Sequence, residues 1–236
     1  MASTRMKFII MAGGQGTKLW PLSKENYPKQ FSNIIGGKSL FQRNLEDLLS
    51  AYPPEDIFVS TTEAYQKYAE EQAPMLPKSH FIYEPHIKRD NGPACCYVLA
   101  HMLEESPDEV VNFYVQPVVI REPREKYLQM LNEMELLVKR HGKLMTGGMQ
   151  PTHPEVGSDY ISLGPKLKDT GNVTVHYDNK YVERAKTITE AKKMLDEMEL
   201  VIHCNHWTWT PRGFFESLKK HRPDWYDVTM EIYELI

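Results

Sequence analysis

"IIMAGGQGTKLWPLSKENYPKQF", residues 9–31, decides how this chain is read. A short apolar run ends at Ala12. Gly13, Gly14 and Gly16 follow, then Thr17 and Lys18, and after a gap Pro28, Lys29 and Gln30. An apolar run of this length without alternation suits a strand buried on both faces. Glycines placed directly after a strand let the backbone turn sharply and approach a ligand with no Cβ in the way. The N–H groups of such a turn make an anion-binding concavity, and a nucleotide polyphosphate is its usual occupant. The spacing fits neither GxxxxGK[ST] nor GxGxxG. Taken alone, GGxG reads equally as a tight turn. The company of Thr17, Lys18 and Pro-Lys-Gln sets this one apart.

Outward from that stretch, strand-like and helix-like segments alternate. Strands are expected at 7–12, 56–60, 80–83, 110–115 and 143–148. Helices are expected at 39–52, about 62–72, from Gly92 onward, and 123–142. Ser39 is a candidate N-cap, Pro93 stands in a first helical turn, and Gly142 follows Lys139, Arg140 and His141 as a C-terminal cap. This order predicts an α/β fold with a parallel or mixed sheet flanked by helices on both faces. After Gly148 the rhythm changes. The stretch 149–164 is broken and aperiodic, 173–185 reads as hairpin β-structure, helices follow near 189–198 and 211–220 around a strand at 200–203, and a last helix runs to the end. One domain over 1–236 is expected, with a core over 1–148 and a smaller lobe over 149–236.

The bulk properties narrow the class. The 236 residues are 41% apolar and 25% charged, which excludes a disordered or fibrous chain. The formal net charge is −4 and no basic cluster stands out, so nucleic acid is not an expected partner. No apolar stretch approaches the roughly 18 residues of a membrane span. Cys95, Cys96 and Cys204 are odd in number and lack disulfide or metal-ligand spacing, so a reduced, cytoplasmic chain is expected. The nine histidines form no HxH or HxxxH pair, and no zinc is assigned. Trp207 and Trp209 alternate, and read either as packing or as a stacking surface for a base or sugar.

The segment from Ala12 to Phe31 resembles the signature of the nucleoside-diphosphate-sugar pyrophosphorylases, AGGxGTRLWPLSR followed by PKQF, and within them the mannose-1-phosphate guanylyltransferase branch. "EPHIKRDNGPA" (84–94) is similar to EPxxRNTAPA with one extra residue, "TGGMQPTHPEVGSDYI" (146–161) to GIxPTxPxTGYGYI, and "YVERA" to FxEKP. The resemblance covers nearly all of the chain and fades toward its C-terminus. It implies a Rossmann-like nucleotidyltransferase fold with a sugar-binding lobe. It also implies a reaction of GTP with a sugar 1-phosphate, mannose 1-phosphate first among them, giving a GDP-sugar and pyrophosphate with Mg²⁺ as cofactor. A homodimer is the candidate assembly. By match, Ala12, Gly13, Gly14, Gly16 and Thr17 would hold the nucleotide, with Glu84, Arg89 and Asp90. Lys18 and Lys29 would act on the phosphates. Gly157, Tyr160, Glu183 and Asn205 would hold the sugar. Without the resemblance, Arg89 reads as a surface ion pair and Glu183 as a solvated strand residue.

The sequence also departs from that pattern. Lys18 stands where the family has Arg, which replaces a planar fork with a point charge. The family's metal-binding Asp falls at Pro117 in "YVQPVVIRE", and no later acidic signature follows. Asp159, Glu122 and Asp227 are the remaining metal candidates. Ser158 and Asp159 replace the Tyr and Gly of GYGYI, so Asp159 brings a negative charge toward an anionic substrate. Three readings stand: an enzyme with a rebuilt metal site, a catalytically degenerate nucleotide-binding protein with a regulatory role, or a shortened form of a longer enzyme lacking part of the sugar lobe.

Overall fold

The computed structural model of the chain describes residues 5–14, 28–33, 36–85, 90–115, 121–171, 173–204 and 206–236. Its first strand, β1 (Lys7–Met11), carries Phe8, Ile9 and Ile10 fully buried. Side chains alternate across a strand, and here each face meets its own core. Phe8 and Ile10 pack with Phe41, Leu45 and Leu48 of α1 (Leu40–Leu49) and with Leu131 and Val138 of α4 (Arg124–His141). Ile9 packs on the other face with Val98, Leu99 and Met102 of α3 (Asn91–Glu105). A strand covered twice has no polar face, which is why its sequence is an unbroken apolar run.

Five strands form the main sheet in the order β3-β2-β1-β4-β9. β2 (Ile57–Thr62), β3 (Phe81–Glu84) and β4 (Val111–Val115) run parallel to β1, and the two-residue β9 (Thr208–Trp209) closes the edge antiparallel to β4. Asn112 of β4, buried within the sheet, donates from Nδ2 to Thr208 Oγ1 at 2.9 Å and ties that edge in place. The helix signals read in the sequence are realised. Ser39 caps α1 in a reciprocal pair with Gln42, and Gly142 ends α4 at a φ of 61°, a left-handed conformation that favours glycine. The helix expected at 62–72 is a 3₁₀ turn at Glu63–Tyr65 leading into α2 (Gln66–Gln72).

Two expectations fail. The strand expected at 143–148 is a single bridge from Met145 to Thr208 followed by the short β5 (Gly148–Met149). The place beside β4 belongs to β9, which reaches it from far along the chain, a long-range pairing that local pattern does not reveal. Conversely, the aperiodic stretch conceals the start of β6 (Tyr160–Asp169). Its register against β7 (Thr174–Val182) shifts at Ser162/Leu163, Leu163/Lys166 and Lys166/Lys168, so no clean alternation survives. Gly164 sits at this irregularity because a Cβ there would lie 2.9 Å from the Tyr177 carbonyl oxygen.

β6 and β7 join β5 and β8 (Leu200–His203) in a second, antiparallel sheet of order β5-β8-β6-β7, with α5 (Ile188–Glu197) between β7 and β8. The second sheet begins at Gly148, but the chain after that point does not stay in it. From His206 it returns to the main sheet through β9. It then lays α6 (Pro211–His221) and α7 (Pro223–Tyr233) against α3, with Phe215 inside the core and Tyr226, Met230 and Tyr233 packed on it. Cys95 and Cys96 are buried in this core, and burial pushes both thiols up. All three cysteines are unpaired. Among the described residues, no helix is long and apolar enough to cross a membrane.

Candidate functional site

In an open parallel sheet, ligands lie beyond the carboxyl ends of the strands where strand order reverses. Here the chain winds from β1 outward to β2 and β3, then returns to place β4 on the other side of β1. The switch point therefore lies at the carboxyl ends of β1 and β4, and the glycine turn begins at the end of β1.

Buried polar groups hold that turn. The Ala12 N–H donates to the Ser60 carbonyl at 2.6 Å, and Thr61 Oγ1 donates to the Ala12 carbonyl at 3.2 Å. Gln30, only 2% exposed, donates from Nε2 to the Ala12 carbonyl at 2.6 Å and to the Gly14 carbonyl at 2.8 Å. In a trans peptide the N–H points opposite to the C=O. Drawing the Ala12 carbonyl toward Gln30 therefore turns the Gly13 N–H away from it. Neither Gly13 nor Gly14 has a positive φ. Their lack of a side chain matters for room. A Cβ on Gly13 would meet the Glu84 carboxylate at 3.1 Å, whereas a Cβ on Gly14 would find none of the described residues within 4 Å.

The Pro-Lys-Gln-Phe segment thereby resolves into separate parts. Phe31 is fully buried against Phe41, with ring centroids 5.1 Å apart, and against Tyr65 and Tyr68. The Gln30 carbonyl accepts from the Phe41 N–H at 2.9 Å, which joins the segment to the start of α1. Gln30 and Phe31 are structural, and half-buried Lys29 stands between the turn they hold and the core they anchor. Gln30→Leu is expected to lower stability by about 1–3 kcal/mol, because the new side chain fits the burial but leaves the Gly14 carbonyl without its donor. Urea unfolding checks this, and wild-type stability would mean the amide holds nothing.

Glu84, at the end of β3, accepts from Ser60 Oγ at 2.6 Å and lies against Gly13. Asp90 is exposed, caps α3 by accepting from the Asn91 N–H at 2.8 Å, and has a φ of 74°. That conformation is costly for a residue with a side chain. Gly16, Thr17, Lys18, Arg89, Pro117 and Asn205 lie outside the described residues. The structure thus brings Ala12, Gly13, Gly14 and Glu84 together, with Gln30, Ser60 and Thr61 behind them. Sequence reasoning assigned none of those three supports a role, although Gln30 stands inside the quoted motif.

The second cluster lies where β6, β7 and β8 end. Tyr160 is fully buried, and its hydroxyl accepts from the Glu155 N–H at 3.0 Å and donates to the Glu155 carbonyl at 2.6 Å. It shapes the 155–160 segment by closing both bonds onto the Glu155 backbone. Of the expected sugar-binding residues, Tyr160 thus has its hydroxyl engaged within its own loop. Gly157 donates its N–H to the Glu155 carboxylate. Glu183 is exposed beyond β7. Asp159 is paired with Arg184 at 3.0 Å. Burial pushes the Asp159 carboxyl up, but hydrogen bonds from Tyr181 and Arg184 outweigh it and hold the group below the ordinary range. Tyr181 is pushed up to about 12 by burial and by its bond to that carboxylate.

The metal candidates do not converge. Among the described residues, no group of three or more His, Cys, Asp or Glu side chains could hold a metal ion. Asp159 is engaged by Arg184, and Asp227 is exposed on α7. Glu122 lines a cleft of about 460 Å³ shared with Arg43, Arg121 and Arg124, whose guanidiniums oppose a divalent cation. Asp47 in the same cleft is already paired with Arg124 at 2.7 Å. The two tryptophans take the packing role. The Trp209 indole donates to the Gly142 carbonyl, the Trp207 indole donates to His203 Nε2, both at 3.0 Å, and both rings pack on the core.

His206 is 1% exposed, and its Nε2 accepts from Arg121 Nε at 2.9 Å. Burial first, then the Arg121 and His203 charges, hold it well below the ordinary 6.5. The folded chain keeps His206 neutral at pH values where the unfolded chain takes up a proton, so this group's contribution lowers stability as pH drops below 6.5. The slope for one fully depressed histidine is about 1.4 kcal/mol per pH unit. His206→Gln keeps an acceptor for Arg121 and is expected to flatten the profile between about pH 6.5 and 5. Urea unfolding at several pH values reads this, and an unchanged slope would refute it. His101 and His203 are lowered mainly by burial and add in the same direction.

Residues 7–157 match the family model described as "Nucleotidyl transferase". A mannose-1-phosphate guanylyltransferase of Escherichia coli is 28% identical over 225 residues, 94% of this chain and 48% of that protein. Mannose-1-phosphate guanylyltransferase 2 of Escherichia coli O157:H7 is 30% identical over 95% of this chain and 47% of its own length. The chain thus spans about half the length of the curated relatives it matches. A Thermus thermophilus crystal structure described as a mannose-1-phosphate geranyltransferase superposes with a TM-score of 0.84 at 25% identity, over 97% of this chain and 64% of that one. A Helicobacter pylori structure described as a mannose-6-phosphate isomerase shares the fold, with a TM-score of 0.75 at 18% identity over 97% of this chain and 79% of that one.

Proposed function

The chain belongs to the nucleotidyl transferase family, and from that premise we propose that it joins a sugar 1-phosphate, mannose 1-phosphate foremost, to GTP. A phosphate oxygen of the sugar phosphate attacks the α-phosphorus of GTP, the bond from that phosphorus to the oxygen bridging to the β-phosphate breaks, and pyrophosphate leaves with the bonding pair. The observation that carries this reading is the glycine turn at the end of β1, held by Gln30 at the switch point of the sheet.

Each residue is given the part its chemistry suits. Gly13 offers its backbone, and Gly14 both backbone and room, to the polyphosphate. Lys29, next to Gln30, is a positive charge for the phosphates near the reacting centre. Glu84 is an acceptor, which opposes phosphate but suits a base edge rich in donors, such as guanine N1–H and the 2-amino group. Glu183, beyond β7, is an acceptor for sugar hydroxyls. Transfer between two anions depends on positioning them and offsetting their repulsion. The family generally uses a divalent metal for that purpose. The described residues do not assemble a site for one, so no step is assigned to it.

Pyrophosphate release with Mg²⁺, GTP and mannose 1-phosphate, run beside other nucleotides and sugar phosphates, tests the proposal. Release that requires both substrates is the expected result. Nucleotide binding by calorimetry without release from any pair would overturn it in favour of a non-transferring nucleotide-binding protein.

A further inference from the structure

Asp159 poses a problem for the proposed reaction, because a carboxylate in the sugar loop repels a sugar phosphate. The structure supplies the counter-charge. Arg184 Nε donates to Asp159 Oδ1 at 3.0 Å and Nη2 to Oδ2 at 3.2 Å, a bidentate fork, while Nη1 donates to the Gly157 carbonyl at 3.3 Å. The Arg184 backbone N–H also donates to Asp159 Oδ1 at 3.1 Å. From β8, the His203 N–H donates to the Asp159 carbonyl at 2.9 Å. Tyr160 pairs with Val182 in the β6–β7 ladder, so the residues just outside each strand end are brought side by side. One aspartate therefore joins the ends of three strands, and its partner follows Glu183 directly in the chain.

We propose that Asp159 and Arg184 form a charge-neutral clamp that positions the 157–160 segment beside Glu183 and sets the affinity for the sugar phosphate. This rests on the reaction proposed above. Both are positioning residues. Bidentate guanidinium–carboxylate geometry fixes orientation as well as charge. The Arg184 side chain is 47% exposed and that of Asp159 23%, so the pair is partly screened and its effect depends on salt.

The test uses Arg184→Gln, Asp159→Asn and the double variant. Arg184→Gln leaves the carboxylate uncompensated, so KM for the sugar 1-phosphate should rise about tenfold, with kcat and KM for GTP within about twofold of wild type. The rise should shrink in high salt. Asp159→Asn should raise KM only about threefold, and the double variant should return toward that smaller value. A residue serving only to stabilise the fold would give additive losses and no salt dependence. Hydrogen exchange reads the clamp without any substrate, and amides of 155–160 should exchange about fivefold faster in Arg184→Gln. Additive KM effects, or a fall in kcat alone with unchanged exchange, would overturn the clamp. If wild type releases no pyrophosphate from any pair, the reaction is what fails. The exchange result then decides the clamp by itself: faster exchange supports it and unchanged exchange refutes it.

Discussion

Gly14→Val is expected to remove nucleotide binding and leave the fold as stable as the wild type. Gly14 is exposed, has no positive φ, and a Cβ built on it meets none of the described residues within 4 Å. A side chain there is neither strained nor crowded by any of the described residues. By stiffening the unfolded chain, the substitution should leave stability unchanged or raise it by up to about 1 kcal/mol. The room that valine fills is the room a polyphosphate needs beside the turn. Losing two charge-assisted hydrogen bonds, each worth about 1.5–3 kcal/mol, corresponds to a loss of about 100-fold or more in affinity. Urea unfolding and calorimetry with GTP, on the same preparation, separate the two effects. Wild-type affinity would mean that the turn is a turn and nothing more. Gly13 is a poorer choice for this experiment, because its missing Cβ makes room for the Glu84 carboxylate and a substitution there would disturb the protein itself.

Lys29→Met should lower turnover by about 10²–10³-fold with little change in stability, since removing one preorganised group that stabilises developing charge typically costs that much. Methionine retains an unbranched, flexible stem of similar length. The neighbours define the contrast. Gln30 and Phe31 are buried and hold the turn and the core, so substitutions at those positions should lower stability first. Lys29 is half-buried between them. Steady-state pyrophosphate release beside urea unfolding distinguishes the roles. Turnover within about threefold of wild type would remove Lys29 from the reacting centre. An equal loss of stability and turnover would place it with its structural neighbours.

The ease with which different parts of the molecule were read from sequence follows from the range of the interactions that form them. The buried strand, the capped helices α1 and α4 and the glycine turn are set by residues close together in the chain. Ser39 with Gln42, and Gly142 after a basic last turn, are local devices, and local pattern reveals them. The strand expected at 143–148 failed because an apolar run cannot show that β9 takes the place beside β4. The start of β6 stayed hidden because bulges break the alternation by which a strand is recognised. At the site, motif resemblance located the turn but not its supports. Ser60 and Thr61 are ordinary strand residues until the parallel register sets β2 beside β1. Asp159 read as a free carboxylate, and so as a metal candidate or a repulsive charge. Only the antiparallel pairing of β6 with β7 puts the Arg184 fork on it.

By itself, then, the sequence determined a doubly covered sheet, a glycine turn at the end of its first strand, and the family to which such a turn belongs. It did so through contacts between near neighbours and through the buried-strand pattern. The tertiary structure alone decided that Gln30 holds the turn from sixteen and eighteen residues away, that Tyr160 is spent on its own loop, and that Asp159 is a paired charge. Those outcomes depend on which distant atoms come within about 3 Å of one another, and that distance is set by strand order and register.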